Sequence, residues 1–159
     1  MPGATAPERA TRALPTGLVV RPAADADIAG IQHLVWDVMS EVYGDLFPGG
    51  PPPPVGQWQC GLVAEQGGRI VGVVVADDDW VEDLWVASGH RGCGIGSVLL
   101  AAAERQISER GHGEARLRVV GENARARDFY GARGWTESVF HPHEKWDFAM
   151  LEMRKKLAA

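Results

Sequence analysis

The chain has 159 residues, 45% of them apolar and 23% charged, with six Trp, four Phe and a formal net charge of −5. That is enough apolar material for one packed domain and too little chain for two, which sets aside both a disordered polypeptide and a multidomain one. The acidic balance argues against a nucleic-acid-binding face and suits a neutral or cationic small partner, an amine among them.

Residues 1–16 read as a flexible tail, ahead of a single domain over 17–157. The tail holds no apolar run of signal-peptide length, and no stretch of the chain approaches the ~18 apolar residues that cross a bilayer. Cys60 and Cys93 have no metal-like spacing and no disulfide framework around them, so the expected compartment is the cytoplasm.

Leu18–Arg21 is a short β-branched run stopped by Pro22. Asp25 or Asp27 can cap a helix in which Ile28, Ile31, Val35, Val38 and Val42 recur at three- and four-residue steps, with Trp36, Met39 and Tyr43 widening the face and Gly44 stopping it. Phe47–Gly56, with four consecutive prolines at 51–54, can be neither helix nor central strand and is a stiff connecting loop. Gly61–Glu65 and Arg69–Ala76 flank Gln66-Gly67-Gly68 as an antiparallel hairpin. Asp77–Asp79 then turn the chain into a strand over 81–86.

That strand feeds Arg91-Gly92-Cys93-Gly94-Ile95-Gly96-Ser97 and a helix, followed by a strand over Ala115–Val120. Strand, helix, strand predicts a parallel pair. Asn123–Trp135 opens on a good cap and contains a glycine at the usual stop position, a short helix. Thr136–Phe140 and Trp146–Arg154 are two last strands around the loop His141-Pro142-His143-Glu144, and Lys155–Ala159 is a solvated tail.

The glycine loop is where chemistry enters. Glycines at alternate positions let backbone N–H groups converge at a helix N-terminus, a cradle for phosphate or pyrophosphate. The Gly-Lys-Ser/Thr of a nucleotide-triphosphate loop is absent. A dinucleotide fingerprint would need its third glycine at Ser97, with Glu122 the nearest ribose-binding acid. Tight packing of strand against helix would explain the glycines and leave Arg91 without a role.

Glu82 and Asp83 are adjacent carboxylates in an otherwise apolar strand. Period-two alternation sends Glu82 to one face with Trp80, Leu84 and Val86, and Asp83 to the other with Val81 and Trp85. A carboxylate so placed must be paired, open to a cleft or raised in pKa.

The Arg-x-x-Gly-x-Gly spacing, the acid-bearing strand before it and the Asn…Phe-Tyr…Gly-aromatic helix after it resemble the GCN5-related N-acetyltransferase (GNAT) superfamily over about 18–157. The resemblance implies an α/β (α+β) fold: a mixed, mostly antiparallel sheet of six or seven strands, splayed between the fourth and fifth, with helices on both faces and acetyl-CoA in the splay. It implies that the backbone of Arg91, Gly92, Cys93, Gly94, Ile95, Gly96 and Ser97 holds pyrophosphate, that Leu84, Trp85 and Val86 pair with the pantetheine arm, and that Asn123 and Phe129 meet the cofactor. It gives Glu82 the part of general base and Tyr130 that of general acid to the leaving thiolate.

Direct transfer in that family leaves Cys93 a loop residue rather than a nucleophile, and no metal is expected although His141 and His143 flank Glu144. Trp80, Asp83, His141, His143, Asp147 and the acidic run 77–79 are candidates for acceptor recognition. The implied reaction acetylates a small primary amine, with no nucleic-acid or membrane partner, and homodimers are common in the superfamily. A protein lysine or N-terminal amine is the alternative acceptor, and a non-catalytic acyl-CoA-binding module is the alternative of another class.

Overall fold

The computed structural model describes residues 13–158, so most of the expected tail lies outside the described residues. Seven strands, β1 (Val19–Pro22), β2 (Leu62–Gln66), β3 (Arg69–Asp77), β4 (Trp80–Val86), β5 (Glu114–Val120), β6 (Thr136–Pro142) and β7 (Ala149–Lys156), form one sheet in the order β1-β2-β3-β4-β5-β7-β6. Three helices, α1 (Ile28–Tyr43), α2 (Ile95–Glu109) and α3 (Ala124–Gly131), complete the fold. Every strand pairing is antiparallel except that of β4 with β5.

Two apolar layers flank the sheet. Leu99, Leu100, Ala103 and Ile107 of α2 pack with Leu117, Leu151, Met153, Tyr130 and Trp135 on one side. Ile31, Leu34 and Val35 of α1 pack with Trp58, Val63, Val73 and Val75 on the other. Gly72 in β3 lets α2 come close, since a Cβ there would lie 2.8 Å from Leu99 Cδ1 and 3.3 Å from the Trp85 carbonyl oxygen.

The parallel pair is short. β4 and β5 are in register only at Trp80↔Arg116 and Val81↔Leu117, while β5 stays bonded to β7 along its whole length to Val120↔Met150. Beyond Val81 the two strands part, and a crevice opens toward their C-terminal ends, where a parallel sheet places its ligands.

Several expectations change. The buried stripe of α1 holds Ile31, Val35 and Val38 as expected and adds Leu34, while Val42 and Trp36 are 42% and 39% exposed. β6 extends to Pro142, so His141 is a strand residue opposite Met150. β7 starts later and runs through Lys156, because Ala115↔Lys155 and Glu114↔Lys156 continue the ladder and Lys155 Nζ pairs with Glu104 at 2.8 Å. The run 77–79 turns the chain at the N-terminal end of β4, away from the crevice mouth. There Asp79 binds Arg116 at 2.8 Å and Asp78 faces His112 at 2.7 Å.

The largest correction concerns β4. Register passes from Val75↔Asp83 to Ala76↔Val81, two residues of β4 against one of β3, which makes Glu82 the extra residue of a bulge. Strict alternation therefore fails. Val81 joins Leu84 and Val86 in the α2 layer, while Asp83 stands opposite Val75 of the α1 layer, to which Trp85 also belongs.

Candidate functional site

One wall of the crevice is the loop between β4 and α2. Gly92 and Gly94 have φ of 78° and 88°, values that glycine adopts without strain. Gly94 is the N-cap of α2 and supplies no side chain, so the N–H groups of Ile95, Gly96 and Ser97 precede the first helical bond, Val98 N–H to Gly94 O at 3.1 Å. These free donors and the positive helix end suit an anionic group. Leu84, Trp85 and Val86 follow the last β4–β5 pair, so their gap-facing backbone groups are open to an extended ligand.

Side chains brace this loop. Arg91 Nη1 donates to Glu41 Oε1 at 3.0 Å, and Ser88 Oγ donates to the same carboxylate, whose pKa these two bonds lower. The buried Cys93 thiol donates to the His90 carbonyl at 2.7 Å and faces inward. Arg133 donates to Ser97 Oγ at 2.8 and 2.6 Å and lies 3.7 Å over the Phe129 ring, placing a cation beside the N-terminus of α2. Phe129 in turn packs on Gly96, where a Cβ would sit 3.3 Å from its ring.

Asp83 and Tyr43 lie near enough to Tyr130 for their charges to act on its hydroxyl. Asp83 is half-buried, accepts one hydrogen bond, from Trp85 Nε1 at 3.0 Å, and has no cationic partner among the described residues. Burial raises its pKa from 3.8 to about 6, with the Glu82 charge adding to the shift. Tyr130 is buried, with its ring edge-on to Phe129 and Trp135. Burial pushes its hydroxyl pKa well above the ordinary value, and the charges of Tyr43 and Asp83 act in the same direction. Glu82 is exposed on its bulge.

Asn123 serves two masters: its Oδ1 accepts from Ala126 N–H at 3.0 Å, capping α3, and its Nδ2 donates to Tyr43 Oη at 2.6 Å. Tyr43, Glu41 and Arg133 are absent from the expected site residues. Met39 and Tyr43, four residues apart, mark Tyr43 as a helix-face residue, but nothing local shows its partner 80 residues away.

The acceptor-recognition candidates separate. Trp80 lies between Arg116 and Arg118, whose guanidinium carbons are 4.3 and 4.5 Å from the ring centroid. His143 Nδ1 accepts from the N–H groups of Lys145 and Trp146 at 3.0 and 3.2 Å, so this atom shapes its own loop. His141 and Asp147 are exposed. An aromatic clasp unforeseen in the sequence joins the loop after α1 to the β6–β7 loop: Phe47 meets Trp146 and Phe148 edge-on at 4.8 and 5.8 Å. Among the described residues no group of three or more His, Cys, Asp or Glu could hold a metal, and no helix is long and apolar enough to cross a membrane.

Comparison with known proteins agrees with this architecture. Residues 32–135 match the acetyltransferase (GNAT) family model. An uncharacterized N-acetyltransferase of Methanocaldococcus jannaschii is 30% identical over 135 residues, covering 76% of this chain and 85% of the relative. Streptothricin acetyltransferase of Streptomyces lavendulae is 46% identical over 55 residues, 35% of this chain and 29% of that protein. Among solved structures, an acetyltransferase of Salmonella typhimurium with its cofactor acetyl-CoA superposes with a TM-score of 0.72 at 18% identity, covering 91% of this chain and 96% of the other. With the parted β4–β5 pair, the glycine loop and the family match in agreement, the chain belongs to the GNAT family of acetyltransferases and is an N-acetyltransferase.

Proposed function

We propose that this enzyme transfers the acetyl group of acetyl-CoA directly to a primary amine of a small, cationic molecule. The observation that carries the reading is Asp83: a half-buried carboxylate at the crevice with no cation beside it among the described residues. Such a charge is costly unless a ligand neutralises it, and an alkylammonium does so. The stretch shared with streptothricin acetyltransferase supports a small-molecule acceptor, as does the Phe47–Trp146–Phe148 clasp that bridges two loops of the fold.

The free N–H groups of Ile95, Gly96 and Ser97, with Arg133 beside them, suit the cofactor's pyrophosphate, and the open edge of β4 suits its pantetheine arm. When bound, acetyl-CoA supplies an activated acyl thioester. Asp83 orients the acceptor ammonium and takes its proton. The gap between an amine near ~10.4 and a carboxyl near ~6 is about 4 units, or ~6 kcal/mol, well inside the ~16 kcal/mol barrier of an enzyme turning over ~10 times per second. We therefore assign the base to Asp83 in place of Glu82, whose carboxylate is solvated. Tyr130, kept protonated by burial, gives its proton to the leaving thiolate.

A panel of diamines, polyamines, amino sugars and peptide N-termini, read by thiol release from acetyl-CoA, tests this reading. Turnover with cationic small amines is the expected result. Turnover with peptides alone moves the acceptor to protein, and tight acetyl-CoA binding without thiol release from any amine points to a binding module.

A further inference from the structure

Building on the proposed acetyl transfer, we infer that Tyr43 is a second catalytic phenol, whose hydroxyl donates to the thioester oxygen from the acceptor side of the crevice. The orientation of Asn123 leads to this. Its Oδ1 is committed to Ala126 N–H, so the atom facing Tyr43 is Nδ2, which can only donate. Tyr43 Oη is therefore an acceptor in that bond, and its own O–H must find an acceptor elsewhere. Among the described residues it has none. A half-buried donor with no acceptor among the described residues is available to a ligand atom.

Two O–H groups thus converge from opposite layers. Tyr130 reaches in from α3, beside Phe129, and Tyr43 from the last turn of α1, where its hydroxyl meets Asn123. Burial opposes ionisation of both, so both are donors at neutral pH. The ligand offers two atoms that gain charge, the sulfur and the carbonyl oxygen, and Tyr130 serves the sulfur. Tyr43 faces the oxygen, where a fixed donor is most useful because charge gathers there only as the amine attacks.

The step balances. Asp83 first takes one proton from the ammonium and releases it to water. The amine nitrogen then bonds to the carbonyl carbon, the C–S bond breaks, and the second proton leaves nitrogen for Asp83. The thiolate takes its proton from Tyr130, which regains one from Asp83 through water, so that one proton is released overall. Tyr43 keeps its proton throughout and lends it as a hydrogen bond.

Acetyl-CoA labelled with ¹³C at the thioester carbonyl, bound to the full chain and followed by infrared difference spectroscopy, tests this. In the unaltered protein the bound carbonyl stretch lies below that of the free ligand. Tyr43→Phe keeps the ring and returns the stretch toward the free value, with turnover falling ~10²-fold and cofactor affinity unchanged within ~2-fold. Asn123→Asp preserves the cap but replaces Nδ2 with an acceptor that captures the Tyr43 proton, so it abolishes the shift as well. A full shift in either variant overturns the inference and leaves acetyl transfer standing. Failure of the unaltered protein to bind acetyl-CoA overturns both.

Discussion

The cofactor wall, Ser88 to Ser97, is made almost wholly of backbone, and its parts follow one another within ten residues. The proposed acceptor wall is all side chain: Tyr43 and Phe47 from α1 and the loop after it, Asp83 from β4, Asn123 from the cap of α3, Trp146 and Phe148 from the last hairpin. A backbone cradle needs only glycine at the right places, so it is compact in sequence and tolerant of its other side chains. A side-chain wall has to be folded before it exists, and each member is separately vulnerable. In the proposed mechanism the proton transfers fall on such side chains, Asp83 and Tyr130.

The sharpest break in that contrast comes from the adjacent carboxylates. Asp83→Asn is expected to lower turnover by ~10²-fold or more, and Glu82→Gln to change it by less than ~2-fold, in steady-state assays with the preferred amine. Because the Asp83 carboxyl titrates at about 6 rather than 3.8, kcat/KM should fall as pH drops through about 6. This acid limb should vanish in Asp83→Asn. Stability moves the opposite way. Between the unfolded and folded pKa values the unfolded chain ionises and the folded one does not, so this group's contribution declines as pH rises from about 4 to about 6. At pH 7 it amounts to a destabilisation of ~2–3 kcal/mol, which the asparagine relieves. A higher Tm for Asp83→Asn at pH 7 but not at pH 4 marks a carboxylate held at a cost for function, and equal losses of activity in the two variants would remove the distinction.

The same contrast explains what the sequence made legible. The glycine loop, α2, the parallel pair and the capped α3 are local, set by spacing and turn chemistry, and they appear where the residues place them. The bulge at Glu82 was not legible, because alternation assumes an unbroken ladder and the register shift is a property of the pairing with β3. Tyr43 and the aromatic clasp escaped for a related reason. Their partners are Asn123, Trp146 and Phe148, far along the chain, and helix periodicity says which face a residue takes without saying what crosses the crevice to meet it. Asp78, Asp79 and Trp80 stood out by composition, and the fold sets Asp78 against His112 and sets Asp79 and Trp80 against Arg116 and Arg118 of β5.

On the backbone wall the expected effect is smaller and falls on a different constant. Gly92→Ala places a Cβ in open space but at a φ of 78°, so the strain is in the backbone alone. A left-handed residue with a side chain costs ~1–2 kcal/mol, which predicts a ~5- to 30-fold rise in KM for acetyl-CoA with kcat at saturation unchanged. Isothermal titration with acetyl-CoA and a saturation assay check the two halves of this prediction, and a fall in kcat would show the loop taking part in chemistry as well as binding.

The clasp gives the smallest effect and the one that bears most directly on the acceptor. Phe47 is buried against Trp146 and Phe148, and an edge-to-face aromatic pair contributes ~0.5–1.5 kcal/mol beyond the area it covers. Phe47→Ala loosens the loop after α1 from the β6–β7 loop while leaving Asp83, Tyr130 and the glycine loop untouched. If the clasp encloses a small acceptor, KM for the best small amine rises ~3- to 10-fold, acetyl-CoA affinity stays level, and N-terminal peptides, poor acceptors for the unaltered enzyme, gain relative to it. Unchanged acceptor KM would make the clasp a structural tie between two loops, and the acceptor wall would then end at Tyr43 and Asp83.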